Sequence, residues 1–163
     1  MSINILAIDP GTDQSGWCSY HPELGILGCG VKPNDIMLYE IRHSCADTLA
    51  LEMVASYGMA VGKDVFETVR WIGRFQQVWR RPDDVMLVYR RDVKLHLCNS
   101  AKAKDANIRQ ALLDMFPRTG GGKTPQVGTK AKPGPLYGVS SHAWSALALA
   151  ITAHHQITNT EAA

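Results

Sequence analysis

Apolar and polar positions change period several times along the chain, and each change marks an element. Residues 3–9 form a nearly unbroken Ile/Leu/Ala run, the pattern of a strand buried on both faces. The run ends in one carboxylate, Asp9, and the chain then turns through Pro10, Gly11 and Thr12. "SGWCSYH" (15–21) fits an antiparallel return, and "GILGCGVK" (25–32) fits a third strand after the Pro22-Glu23 turn. Asn34 is placed to cap a short helix over 35–43. "TLALEMVA" (48–55) reads as a fourth strand, apolar except for Glu52.

The period then lengthens. Apolar residues at 65, 66, 69, 72, 75, 78 and 79 predict a helix over 62–81 with one buried face, stopped by Pro82. On that face Phe66, Phe75 and Trp79 are expected in the core, whereas Trp71 sits off it. "DVMLVYRRDVKLHLC" (84–98) opens as a fifth strand, and "AKDANIRQALLDMFP" (103–117) is an amphipathic helix ended by Pro117. Residues 118–138 are Gly- and Pro-rich, basic and too polar for core, so a mobile basic loop is expected there. An Ala-rich apolar helix over 140–155 closes the domain, leaving 157–163 as a tail. The order is three strands, helix, strand, helix, strand and two helices: one α/β domain over 1–163, with a mixed five-stranded sheet flanked by helices.

Length and composition agree with a single soluble domain. The chain has 163 residues, 45% hydrophobic and 20% charged. No apolar stretch approaches the roughly 20 residues of a membrane span. Cys18, Cys29, Cys45 and Cys98 lack CxxC or zinc-type spacing and read as reduced thiols, which with the absence of a leader predicts a cytoplasmic setting. Net charge is only +2, yet no acid lies between Asp114 and Glu161, where Arg118, Lys123, Lys130 and Lys132 fall. "RWIGRFQQVWRR" (70–81) and "YRRDVKLH" (89–96) are also basic. Such clustering suits a polyanion.

Asp9 and Glu52 are the acids embedded in apolar strand runs. A buried carboxylate is paired or bound to a cation, because isolated burial of a charge is very costly. Two of them, in strands able to lie side by side, suggest a shared hard cation such as Mg²⁺, which takes oxygen ligands and keeps waters and phosphates in its shell. The alternative is that one caps a turn and the other meets an Arg. In "TGGGKT" (119–124) a phosphate-binding P-loop is excluded: Pro117 stands where that motif needs Gly, and the segment follows a helix. "VGK" (61–63) opens a helix whose backbone N–H groups, with Lys63, can face a phosphate.

"LAIDPGTDQSGW", "LALEMVASYG" and "HAWSALALAITAHH", in that order and spacing, resemble the RuvC family of Holliday-junction resolvases, and in particular short, phage- or prophage-type members, as does "GPLYGV". The resemblance spans essentially the whole chain. It implies an RNase H-like fold and a metal-dependent, structure-selective endonuclease that acts as a homodimer on four-way or related branched DNA. It also implies two Mg²⁺ ions, with Mn²⁺ as a substitute, held by Asp9, Glu52 and two residues one turn apart on the last helix. Those two positions fall on His142 and Ser145, where the family usually has an Asp or His followed by an Asp. Ser does not replace a carboxylate as a strong Mg²⁺ ligand, so full two-metal catalysis is in doubt and weakened turnover is expected.

Three arrangements stay open: His142 serves alone with waters, Asp105 swings in, or the chain binds junctions without cutting them. Lys63, Lys102, Lys104, Lys123, Lys130 and Lys132 are the expected DNA contacts, and the apolar 65–79 helix is the expected dimer face. The competing readings are a non-catalytic branched-DNA-binding module and an actin- or sugar-kinase-like nucleotide binder, whose phosphate turn "IDPGT" also matches.

Overall fold

Alternation in a strand sends successive side chains to opposite faces, so a run that is apolar throughout needs cover on both sides. The computed structural model, which describes residues 2–163, supplies that cover. Its elements are β1 (Ile5–Asp9), β2 (Gln14–His21), β3 (Gly25–Pro33), α1 (Asn34–Arg42), β4 (Thr48–Met53), α2 (Lys63–Val78), β5 (Met86–Tyr89), α3 (Arg90–Cys98), α4 (Asp105–Met115) and α5 (Ala143–Glu161). A 3-10 turn at Pro82–Asp84 precedes β5.

The sheet is mixed, in the order β3-β2-β1-β4-β5. β2 is antiparallel to β1 and β3, while β1, β4 and β5 run parallel. Ile5 and Ala7 of β1 and Ala50 of β4 pack into a core built with α3, α4 and α5. Leu6 and Ile8, with Leu49 and Leu51, pack on the opposite face against α1 and α2. The last helix is buried from Ala143 through Ala153 with one break at Trp144 and Ser145, and its many alanines let its backbone approach the sheet.

Several sequence expectations shift. The stretch 84–98 is a four-residue strand followed directly by α3, a helix that the sequence reading omits. No Gly or Pro marks the change; Val93 and Leu97, one helical turn apart, turn inward and supply the missing signal. Asn34 is not a cap: it is buried as the first residue of α1 and makes no capping hydrogen bond. Phe66, expected in the core, is 60% exposed, because α2 buries only the side bearing Thr68, Ile72 and Phe75. Trp79 is buried but already extended, so α2 ends before Pro82, which instead opens the 3-10 turn.

Within 118–138, Leu136 is fully buried in the core on the α5 face, and Gly120, Val127 and Leu136 donate backbone hydrogen bonds inside the segment. That segment is therefore not too polar to contribute to the core. The closing helix starts at Ala143 and continues to Glu161, through most of the span read as a tail. Among the described residues, no helix is long and apolar enough to cross a membrane.

Candidate active site at the ends of β1 and β4

Asp9 continues the alternation of Ile5 and Ala7, and Glu52 that of Ala50, so both carboxylates leave the sheet on the α5 face. The parallel ladder pairs Ile8 with Leu51, which sets Asp9 beside Glu52 at the carboxyl ends of adjacent strands. The turn after Asp9 is locked from beneath. The buried Ser15 hydroxyl donates to Asn34 Oδ1 at 2.6 Å, Asn34 Nδ2 donates to the Gly11 carbonyl at 2.9 Å, and the Gly11 N–H donates to Ser15 Oγ at 3.3 Å. A Cβ on Gly11 would overlap the Gln14 carbonyl, so the turn closes only around glycine. The Asp-Pro-Gly break thus holds Asp9 at the sheet edge.

The third member arrives from the far end of the chain. His142 immediately precedes α5, and its Nδ1 lies 3.2 Å from Asp9 Oδ2. Gly16, paired with Asp9 across the β1–β2 ladder, permits this approach: a Cβ there would stand 2.6 Å from the His142 carbonyl carbon. Gly16 went unnoticed as a site residue because nothing local distinguishes it; its role depends on a helix 126 positions later in the chain.

Asp9 and Glu52 lie close enough that each carboxylate acts on the ionisation of the other. Burial pushes the Glu52 carboxyl up to about 8, Asp9's charge adds to that rise, and Arg90 opposes it. Burial also raises Asp9, while the Glu52 hydrogen bond and His142 pull it back. Burial thus favours the protonated form of both carboxylates. Among the described residues, no three His, Cys, Asp or Glu side chains already surround a common point as cation ligands.

Around the pair is a pocket of about 270 Å³ lined by Asp9, Glu52, Arg90, Asp105, His142 and Ser145, among others. Arg90, quoted in the sequence only as part of a basic stretch, enters because β5 pairs Val88 with Glu52 and α3 begins two residues later. Its Nε is 3.8 Å from Glu52 Oε1, and its Nη2 contacts Asp105 Oδ1. Asp105 stands in the first turn of α4, at the pocket rim, and turns to Arg90. Ser145 lines the pocket one turn after His142 but adds no charge. Lys63, Lys102, Lys104, Lys123, Lys130 and Lys132 are all exposed, and none lines this pocket.

A mixed sheet of order 3-2-1-4-5, with carboxylates ending its two central strands and a C-terminal helix across them, is an RNase H-like fold. No protein-family model matches the chain, and no curated relative does. Among solved structures it is similar to T. thermophilus RuvC in complex with a Holliday junction substrate, with a TM-score of 0.66 and 15% identity over 97% of each chain. It is likewise similar to a second Thermus thermophilus RuvC structure, with a TM-score of 0.65 and 15% identity over 96% of this chain and 97% of that one. What the two proteins share is the fold: this chain is RuvC-like in architecture.

Proposed function

We propose that this chain is a divalent-metal-dependent endonuclease that hydrolyses phosphodiesters in four-way or related branched DNA. The observation that carries this reading is the meeting of two buried, adjacent carboxylates and an imidazole at one sheet edge of a RuvC-like fold. The donors are hard oxygens with one nitrogen, a set that fits Mg²⁺ or Mn²⁺, with Asp9 and Glu52 as principal ligands and His142 beside them. Two adjacent carboxylates whose charged forms burial disfavours are relieved by a cation.

Such an ion supplies a stabilising charge for the phosphate and a more acidic water. The remaining work falls to the protein. The locked turn fixes Asp9, the parallel ladder fixes Glu52 against it, and exposed His142 orients Asp9 through the contact to its Oδ2. Shape-selective affinity for branched DNA would rest on phosphate contacts, for which the exposed lysines at 63, 102, 104, 123, 130 and 132 are suited. A second copy of this chain is the proposed partner of the outer edge of α2, where Phe66 and Val69 are exposed. A reducing cytoplasmic setting, bacterial and phage- or prophage-encoded, goes with this reading and suits the free thiols.

The test is cleavage of labelled four-way junctions with Mg²⁺ or Mn²⁺, beside duplex and flap controls. Asp9→Asn should reduce cutting by at least about 10²-fold, as loss of one essential transition-state contact does. Junction affinity should be unchanged or tighter, since the substitution removes negative charge near phosphate. Cutting at the wild-type rate would remove the catalytic assignment. Tight junction binding without nicking by the wild-type chain would instead favour a binding module, the reading that Ser145 motivates, and calorimetric ATP binding would favour a nucleotide-binding domain.

A further inference from the structure

Charge matching in the pocket differs from what the two-ion family pattern requires. In that pattern the second position on the last helix is an acid. Here Asp9, Glu52 and the rim residue Asp105 face one guanidinium, and the remaining position is the uncharged Ser145. The pocket thus offers one acid fewer than that pattern and one fixed cation more.

Arg90 is also held between the buried Glu52 and the rim residue Asp105. The β4–β5 register and the start of α3 place it, Nε reaches toward Glu52, and Nη2 is held by Asp105. Among the described residues, its Nη1 donates to no protein group, and Arg90 also lines an adjoining pocket of about 490 Å³ that shares Asp105, His142 and Ser145. A planar guanidinium with a free edge is suited to a phosphate oxygen, which it binds through directed, paired N–H groups.

We propose that this centre takes one divalent cation, on Asp9 and Glu52, and that Arg90 supplies the second positive charge by contacting the phosphate directly. The proposal rests on the nuclease reading above. Arg90 replaces a mobile ion with a tethered one, which makes Ser145 a consistent part of the site, because an acid there would have no second cation to hold.

Bound Mn²⁺ per chain, read by electron paramagnetic resonance without DNA and counting ions lost in Asp9→Asn, tests this independently of turnover. The wild-type chain should bind one ion and the Arg90→Gln/Ser145→Asp double variant two. Arg90→Gln alone should keep one ion, bound more tightly because a neighbouring cation is gone. Its junction cutting should fall about 10²-fold or more, and the salt dependence of junction binding should drop by about 0.9 in log–log slope, the value for one lost phosphate contact. Arg90→Lys, which retains the charge, should retain the slope and recover part of the cutting. Two ions on the wild-type chain, with Asp9→Asn still inactive, would overturn this inference and leave the nuclease reading standing. No ion on the wild-type chain would overturn both, and so would cutting that Asp9→Asn leaves unchanged. An Arg90→Gln variant with unaltered cutting and slope would overturn the role of Arg90 alone.

Discussion

Asp9 and His142 meet across a single hydrogen bond, but the protein holds them in opposite ways. Asp9 ends a strand paired on both sides, above a turn locked by the buried Ser15 and Asn34. His142 comes just before a helix, with a side chain 63% exposed and Asp9 as its hydrogen-bond partner. Its position comes from close backbone contact with Gly16. The carboxylate half thus stores electrostatic repulsion in a rigid frame, whereas the imidazole half depends on shape. The first should respond to charge and hydrogen-bond changes, and the second to a single methyl group.

The sharpest way to break that contrast is Gly16→Ala. The added carbon would collide with the His142 backbone, and such overpacking costs about 3 kcal/mol, at the upper end of the usual range. Chemical denaturation should show that loss, and junction cutting should fall as His142 leaves Asp9. Unchanged stability and cutting would mean that shape does not position the helix.

Asn34→Ala attacks the other half. It leaves the Ser15 hydroxyl and the Gly11 carbonyl without their buried partner, a loss of about 2 kcal/mol. Cutting should fall as well, since Asp9 is no longer held. A variant as stable as wild type would show that the turn needs no lock.

Glu52→Gln has the smallest expected effect on stability and the opposite sign. The folded chain holds a proton on Glu52 that an unfolded chain releases near the ordinary value of about 4.3. Stability from this group is therefore full at low pH and is lost as pH rises through about 8. A Gln amide donates to Asp9 without that liability, so the variant should gain at least about 1.4 kcal/mol at pH 8, the equivalent of one pKa unit. The melting temperature should rise by roughly 2–4 °C for each kcal/mol, while cutting is abolished. An unchanged pH dependence of stability would show that Glu52 carries no such proton.

Much of this arrangement was legible in order along the chain. The apolar run with Asp9 at its end, and Glu52 alone among apolar neighbours, marked two strands and their carboxylates, because burying a charge demands a reason. Alternation further implies one common face once the strands lie side by side. The start of α5 was legible to within three residues, and the structure sets His142, just before it, 3.2 Å from Asp9. The α3 helix was not legible, since nine residues with no Gly or Pro before them resemble a strand's continuation. Arg90 went unassigned because nothing within its basic stretch sets it apart from Arg91.

Local patterning by itself determined which segments are strands or long helices and which acids are out of place among apolar neighbours, because burial and backbone periodicity act over a few residues. Only the tertiary structure decided that Gly16 makes room for His142, that Asn34 serves the Asp9 turn and not its own helix, and that Arg90 stands between Glu52 and Asp105. These are contacts between positions far apart in the chain. Strand register and helix docking set them, and neither leaves a trace in local composition.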